Sequence, residues 1–169
     1  MNYNNFSMAL AAGTKGEQLA ASILESLGYT LKEVTNQAEY QKLDIDFIVY
    51  KGSDTFTLEV KADSRINQTN NICVETITNK QLMKRGWFFT TEAAYIAFVD
   101  TVGRRVHLVN TNELRELYKR SIGFIRHTET EQIECGYFYK RAEIALIPLK
   151  EVKKLPSYRC LTALSQFLN

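Results

Sequence analysis

The chain contains few of the residues that build thiolate metal centres and disulfide frameworks. It has three cysteines, Cys73, Cys135 and Cys160, and two histidines, His107 and His127, among 169 residues. The cysteines are odd in number and widely separated, which fits neither a zinc motif nor a set of disulfides. We therefore expect buried or incidental thiols and no Cys/His metal centre.

Segments that would place the chain in a membrane or divide it into parts are also missing. No apolar run approaches the ~20 residues of a membrane-spanning helix. The first residues, Met1-Asn2-Tyr3-Asn4-Asn5, lack the charged start and apolar core of a secretory signal. The sequence has no internal repeat, low-complexity tract or Gly/Ser-rich linker. These absences predict one domain over residues 1–169 and a location in the cytoplasm.

Composition and the order of apolar patterns indicate the fold class. The chain is 45% hydrophobic and 24% charged, with a net charge of +2, which is ordinary for a globular protein. Helix-like and strand-like patterns alternate along it, and this order favours an α/β fold. The clearest helix covers residues 14–27, where Leu19, Ile23 and Leu27 recur at helical spacing before the stop signal Gly28.

Other elements are predicted from local patterns of the same kind. Strands are expected at residues 29–31, 72–75, 94–99, 105–109, 123–126 and 142–147, and helices at residues 110–121 and 149–167, the last broken at Pro156. Residues 76–92 are predicted to be turn and helix, and we expect Trp87-Phe88-Phe89 to belong to the core rather than to a base-stacking platform, because contiguous aromatic residues alternate across a strand. The outer face of the helix at 110–121 carries Arg115, Lys119 and Arg120. It is either a solvated surface or the best single candidate for contact with a nucleic-acid backbone.

The hairpin region carries the polar residues of greatest interest. Two β-rich segments on either side of the turn Lys51-Gly52-Ser53-Asp54 predict a hairpin over residues 44–62. Side chains alternate across a strand, so Glu59 and Lys61 share one face of the second strand. If the polar faces of both strands coincide, Asp46 joins Glu59 and Lys61 beside the hairpin.

Two interpretations of this convergence are open. Two carboxylates about 4 Å apart repel by roughly 4 kcal/mol at an effective dielectric constant of about 20. A divalent cation removes that repulsion, and Mg²⁺ is commonly held by one or two carboxylates. Alternatively, the three side chains form a cross-strand ion pair on an exposed sheet face, which contributes at most about 1 kcal/mol.

The spacing of these residues resembles a known signature. Asp46, 12 intervening residues and then Glu59-Val60-Lys61 resemble the motif of the PD-(D/E)xK nuclease superfamily, which includes restriction enzymes, Holliday-junction resolvases and phage and plasmid nucleases. The Pro usually written before the first Asp is Ile45 here. Asp44 is a rival for the first position, but Asp46 fits better because an unbroken apolar run follows it.

Two further acidic residues are candidates for the same site. Thr14-Lys15-Gly16-Glu17 is a T-x-x-E capping box, in which Glu17 returns a hydrogen bond to the helix start. Alternatively, the form G-E-x-x-A-x-x-x-L-x-x-x-G-Y is similar to the first helix of resolvase-like members, and Glu17 is then the extra acidic residue near the metal. Glu75 ends a predicted strand as in phage-type nucleases and orients water or Lys61, or else it is a plain surface residue.

The resemblance implies both a fold and an activity. It implies a restriction-endonuclease-like core, with a central mixed β-sheet flanked by helices, and Mg²⁺- or Mn²⁺-dependent hydrolysis of phosphodiester bonds in DNA, in restriction, resolution or mobile-element processing. Asp46, Glu59 and Glu17 are the expected metal ligands, and Lys61 orients or helps to deprotonate water. Such enzymes often act as homodimers. RNA as substrate, exonuclease action, and a catalytically silent nucleic-acid-binding or assembly protein are the alternatives.

Overall fold

Two β-sheets and six helices make up the part of the chain that the computed structural model describes, residues 3–134 and 137–163. The strands are β1 Thr30–Glu33, β2 Phe47–Lys51, β3 Asp54–Ala62, β4 Asn71–Asn79, β5 Lys84–Arg85, β6 Tyr95–Asp100, β7 Arg105–Asn110, β8 Arg126–Glu134, β9 Tyr137–Pro148 and β10 Arg159–Thr162. The helices are α1 Tyr3–Ser26, α2 Ala38–Gln41, α3 Ile66–Thr69, α4 Trp87–Thr90, α5 Thr111–Ser121 and α6 Leu149–Val152. Cys135 lies outside the described residues.

The central sheet is mixed and six-stranded, in the order β1-β2-β3-β6-β7-β10. Strands β3 and β6 run parallel, and the other neighbouring pairs are antiparallel. A parallel pair needs a long crossover connection, and here that connection carries β4, β5 and α4. A second sheet, in the order β5-β4-β9-β8, contains β4 and β5. The α/β fold class with a central mixed sheet is therefore confirmed.

Helix α1 covers one face of the central sheet. Its residues Ala20 and Ile23 are buried in one cluster with Leu58 of β3, and each large apolar side chain buried in this way contributes about 1.5–3 kcal/mol. The approach is closest at Gly16, where an added Cβ would lie 2.6 Å from the Cβ of Ala62. The end of β3 and the middle of α1 are thus held in direct contact.

The other face of the central sheet is covered by the second sheet and α5. Phe98 of β6 is buried in one cluster with Ile72 of β4, Phe88 of α4 and Leu114 of α5. Side chains that point from β3 and β6 towards this face therefore lie between two layers of structure. No helix within residues 3–134 and 137–163 is long and apolar enough to cross a bilayer.

The predictions for the hairpin, for β6 and β7 and for the helix at 110–121 are confirmed. Trp87-Phe88-Phe89 belongs to the core as expected, although the three residues form the short helix α4 and do not alternate across a strand. Two other predictions are wrong. Residues 123–125 precede β8. In the predicted C-terminal helix, only Leu149–Val152 is helical, and Arg159–Thr162 forms β10. The antiparallel pairing of β10 with β7 overrides the local helical pattern there; residues 164–167 lie outside the described residues.

Candidate active site

Strand β2 is shorter than its neighbour β3, and Asp46 immediately precedes β2, beside the part of β3 that β2 does not cover. The register between the two strands ends at the pair Phe47 and Leu58, while β3 continues to Ala62. Just beyond this pair, the Asp46 Oδ2 atom accepts a hydrogen bond from the backbone N–H of Val60 at 2.7 Å. The carboxylate of Asp46 thus occupies the position of a strand partner, and this fixes it against the open edge of β3.

Glu59 points from β3 towards the face of the central sheet that the second sheet and α5 cover. It is only 2% exposed, and its register partner on β6 is Ile96, a core residue of that layer. Its carboxylate forms an ion pair with the ammonium group of Lys61. The interpretation as an exposed ion pair on a sheet face is therefore wrong, because the carboxylate of the pair is buried.

Lys61 lies at the boundary between this buried region and solvent. Its side chain is 32% exposed, and its Nζ atom lies 4.8 Å from the centroid of the Trp87 ring. A cation over an indole ring is attracted by the ring electrons. The ammonium group is therefore held between the Glu59 carboxylate and Trp87, with part of its surface open to a ligand.

The carboxyl groups on the hairpin titrate abnormally because they are buried close together. Burial raises the pKa of Glu59 to about 8; the Lys61 ammonium opposes this rise, and the Asp46 carboxylate adds to it. Burial also raises the pKa of Asp46, against the Val60 N–H and the Lys61 charge, which lower it. A hydrogen bond between the Glu59 and Asp46 carboxyl groups further lowers the pKa of Asp46. Such a pair binds a proton, or another cation, as a unit.

Lys61 carries the positive charge that balances these carboxyl groups. Burial lowers its pKa, but the Glu59 carboxylate and then Asp46 outweigh burial, so that the pKa of Lys61 is raised. The side chain is accordingly protonated at neutral pH. Its chemistry is that of a fixed cation and hydrogen-bond donor, whereas a general base would need a lowered pKa.

Helix α1 brings Glu17 close to the same cluster. Burial raises the pKa of Glu17, and the negative charges of Asp46 and Glu33 raise it further, while the positive charge of Lys61 lowers it. The capping-box interpretation is wrong, because α1 begins at Tyr3 and Thr14 lies within the helix. Glu17 therefore lies within the helix, where its charge interacts with those of Asp46 and Lys61.

Glu75 lies in the second sheet and has partners of its own there. Its carboxylate accepts a short hydrogen bond from the Thr78 hydroxyl group. Together with burial and Asp63, its charge raises the pKa of the Cys73 thiol to about 11. These contacts connect Glu75 with the second sheet, and its part in a common site with Lys61 stays a prediction.

Asp44, Glu33 and Trp87 belong to the surroundings of the site but were not assigned to it from the sequence. The Asp44 carboxylate accepts a hydrogen bond from the Thr90 hydroxyl group at 2.9 Å, and its charge raises the pKa values of Asp46, Glu59 and Lys61. The D-x-D spacing was the available signal for Asp44. Trp87 was expected in the core, and a lone Glu33 at the end of β1 carries no signal.

The donor set around Asp46 and Glu59 consists of oxygen atoms, which suits a hard divalent cation such as Mg²⁺ or Mn²⁺. In the described part of the chain, no three Asp, Glu, His or Cys side chains come close enough together to hold an ion, so the expected ligands Asp46, Glu59 and Glu17 are not assembled as a group of three. Mg²⁺ does not need three, because it commonly binds one or two carboxylates and completes its shell with water and substrate phosphate. The hydrogen-bonded Asp46 and Glu59 pair fits that requirement, and Glu17 adds negative charge nearby.

Comparisons of the chain with protein-family models, with curated proteins and with solved structures find no match in any of the three. We therefore infer the class of protein from the side chains of the site and from the elements that hold them.

Proposed function

We propose that this protein is a Mg²⁺- or Mn²⁺-dependent endonuclease that hydrolyses phosphodiester bonds in DNA. The observation that carries the proposal is the meeting of Asp46, Glu59 and Lys61 at the open edge of β3. An acidic residue from α1, Glu17, interacts electrostatically with two of them. A divalent cation would offset the repulsion within this buried carboxyl pair, and one or two carboxylates are enough to hold Mg²⁺.

The arrangement of elements supports a restriction-endonuclease-like core. The aspartate lies just before β2 and the Glu-x-Lys pair lies on β3, so neighbouring strands of one hairpin carry all three residues. Strand β3 is an interior strand of a mixed sheet, with β2 on one side and β6 on the other. Helix α1 covers one face and positions Glu17. These features support a core of that type.

Each residue of the site has a distinct role in the proposed hydrolysis. Asp46 and Glu59 hold the divalent cation, which when bound supplies a Lewis acid for the phosphoryl oxygen and a water of lowered pKa. Lys61 donates hydrogen bonds to the phosphate or to the attacking water and offsets the negative charge that develops in the transition state. The raised pKa of Lys61, caused by Glu59 and Asp46, supports this electrostatic role. Glu17 orients water from the α1 side.

A cleavage assay on supercoiled plasmid tests the proposal. With Mg²⁺ or Mn²⁺, the wild type is expected to nick or linearise the plasmid, while Asp46→Asn and Lys61→Ala lose about 10²–10³-fold in rate. Glu131→Gln on β8, whose side chain is 61% exposed, is the control, and we expect its rate to stay within about threefold of the wild type, a change below 1 kcal/mol. A wild type that cuts no DNA with either metal, or variants that cut equally well, would contradict the proposal. Circular, linear and RNA substrates then separate endonuclease, exonuclease and ribonuclease action.

A second candidate function is a nucleic-acid-binding or assembly protein that has this fold but no catalysis. The observation that favours it is the direct ion pair of Glu59 and Lys61, because the ammonium group of Lys61 already balances the charge of the Glu59 carboxylate. This candidate predicts salt-sensitive binding to DNA and no metal-dependent cleavage. The plasmid assay combined with a binding measurement therefore distinguishes the two functions.

A further inference from the structure

The turn between β4 and β5 exposes two large apolar side chains next to each other. Leu82 is 76% exposed and Met83 is 73% exposed. Isolated exposed apolar residues are normal on protein surfaces, but Met83 also has a backbone φ of 49°, in the left-handed region that Met seldom adopts. A strained backbone that displays an apolar pair to solvent suggests a contact surface.

Hydrogen bonds and an ion pair hold this turn in place. The Leu82 N–H donates to Asn79 Oδ1 at 3.1 Å, and the Met83 N–H donates to the Lys80 carbonyl oxygen at 3.3 Å. Lys80 is in turn anchored to Glu129 of β8 at 2.6 Å. The apolar pair is therefore presented on a preorganised turn, which reduces the entropy cost of inserting it into a ligand.

Two exposed cations, Lys84 and Arg85, directly follow the apolar pair. Within residues 3–134 and 137–163, neither side chain has a hydrogen-bond or ion-pair partner. Such a surface is complementary to DNA, because apolar side chains can pack against the stacked bases and cations can bind the phosphates of the backbone.

The chain leads from the β4–β5 turn directly to the candidate active site. Gly86 packs against the backbone of Glu75, where an added Cβ would clash, and Trp87 then lies 4.8 Å from the Lys61 Nζ atom. The four steps from Met83 to Trp87 span at most about 14 Å even when fully extended. That distance corresponds to about four nucleotides of one DNA strand. A strand with a phosphate at Lys61 therefore passes within reach of the turn.

We propose that the β4–β5 turn is a wedge that inserts Leu82 and Met83 between the bases of the DNA bound at the active site, while Lys84 and Arg85 bind its phosphates. Wedges of this type bind best where base stacking is already weakened. The preferred substrate is accordingly a duplex with an unstacked step, as at a bulge, fork or branch. This inference rests on the proposed function in taking DNA as the ligand and in placing the DNA at Lys61.

The basic face of α5 is the alternative surface for DNA binding, but two of its three cations already have partners within the protein. Arg115 donates hydrogen bonds to the carbonyl oxygen of Phe88 at 2.9 Å and to that of Thr91 at 2.7 Å. Lys119 pairs with Glu116 at 2.7 Å. A cation that already has an internal partner gains less from a phosphate than an unpaired one, so the β4–β5 turn is the better DNA contact.

The wedge is tested by DNA binding without divalent metal, so that cleavage does not interfere. Fluorescence anisotropy compares the wild type, Leu82→Ser/Met83→Ser and the control Val102→Ser, whose side chain is 61% exposed at the β6–β7 turn. On a duplex with a one-base bulge, the double variant is expected to bind about tenfold more weakly. On the fully paired duplex, its loss is expected to stay below about threefold, and the control should bind both duplexes like the wild type.

A 2-aminopurine base placed next to the bulge reports insertion directly. Its fluorescence is expected to rise when the wild type or Val102→Ser binds, and to stay low with Leu82→Ser/Met83→Ser at saturation. Equal affinity of all three proteins for the bulged duplex, or equal losses on both duplexes, would overturn the wedge. A change in dimerisation without a change in DNA binding would also overturn it, because the turn would then be a protein contact.

The phosphate contacts are tested by the salt dependence of binding. Lys84→Gln/Arg85→Gln is expected to reduce the slope of log K against log salt concentration by about 1.4–1.8, the release of two counterions. Lys119→Gln/Arg120→Gln removes the same charge from α5 and is expected to leave most of the slope. The reverse result assigns the DNA contact to α5 and overturns the proposal for the turn.

The outcomes for the wedge and for the nuclease are separable. A wild type that binds bulged DNA through the turn but cuts no DNA with Mg²⁺ or Mn²⁺ supports the wedge and contradicts the nuclease. A wild type that cuts DNA, with turn variants that bind and cut equally well, contradicts the wedge and supports the nuclease. Unchanged melting temperatures of the turn variants verify that the fold is intact.

Discussion

Asp46 accepts the backbone hydrogen bond of Val60 through its side chain at 2.7 Å, so one carboxylate both closes the edge of β3 and belongs to the proposed metal site. The structural and chemical roles of Asp46 can be separated by substitution. Asparagine retains an acceptor oxygen for the N–H of Val60 but has no negative charge, whereas alanine removes both.

We expect Asp46→Asn to lose cleavage activity while its free energy of unfolding stays within about 1 kcal/mol of the wild type. Asp46→Ala is expected to lose the same activity and about 1–3 kcal/mol of stability, because the Val60 N–H is left without its acceptor. Urea denaturation and plasmid cleavage measure the two effects. Equal stability of both variants would show that the hydrogen bond to Val60 contributes little.

Trp87 positions the ammonium group of Lys61, and its ring is predicted to matter for catalysis. Replacing Trp87 with Leu removes a cation–π contact worth about 0.5–2 kcal/mol, so kcat is expected to fall about threefold to thirtyfold with little change in KM for DNA. Trp87→Phe restores an aromatic face and is expected to recover part of kcat.

Phe89 provides the control for Trp87, since it is a partly buried aromatic residue of the same short helix that packs against Phe88 and Tyr118. Phe89→Leu is expected to reduce stability but to leave kcat near the wild-type value. Equal losses of kcat in Phe89→Leu and Trp87→Leu would indicate a general packing defect in α4 and not a specific contact with Lys61.

Because His107 is buried, we expect a loss of stability in acid that is unrelated to the active site. Its Nδ1 atom lies 2.8 Å from the Tyr158 hydroxyl group, and its Nε2 atom is buried without a partner among the described residues. Burial lowers the pKa of His107 to about 4; the Asp100 carboxylate opposes this decrease, and Arg105 and Lys153 add to it.

Because the folded-state pKa of His107 is lowered, the unfolded chain binds a proton that the folded chain excludes as pH falls. The contribution of neutral His107 to the free energy of unfolding is therefore fully present above about pH 6.5, and it is lost as the pH falls from there to about 4. We expect a loss of about 1–2 kcal/mol over this range, measured by urea denaturation at several pH values. His107→Phe should lack this part of the decrease, whereas His127→Phe should retain it; the opposite pattern would assign the effect to His127.

The hairpin part of the site could be predicted from the sequence because alternation along a strand is a local property. The spacing of Glu59 and Lys61 alone places both on one face, and a four-residue turn returns Asp46 to their side. What alternation does not reveal is which face is covered. Glu59 is buried because β4 and α4, which follow later in the chain, pack over its face of the central sheet.

The errors of prediction occur where distant contacts decide the local structure. The apolar run at Trp87 is compatible with a strand or a helix, and a single helical turn forms there because α4 packs in the core with β4 and places Trp87 beside Lys61. Residues 159–162 follow a helical pattern but extend along β7, because its edge offers unpaired backbone groups. Neither partner could be identified from the short segment itself.

Two glycines of α1 provide the last prediction, because they share a helix but differ in surroundings. A Cβ added to Gly13 meets no atom within 4 Å, whereas a Cβ added to Gly16 lies 2.6 Å from the Cβ of Ala62. In a helix interior, replacing an unobstructed glycine with alanine stabilises by about 0.5–1 kcal/mol, so Gly13→Ala is expected to raise the free energy of unfolding by that amount.

Gly16→Ala has the same gain in helix propensity but must push α1 away from the end of β3. Overpacking of this kind costs about 1–3 kcal/mol, so we expect a net loss of stability. Because Glu17 adjoins Gly16, the displaced helix also moves its carboxyl group from Asp46 and Lys61, and DNA cleavage should fall together with stability. If Gly13→Ala had no effect on stability, the helix would begin near Thr14, and Glu17 would again be explained by a capping box rather than by the active site.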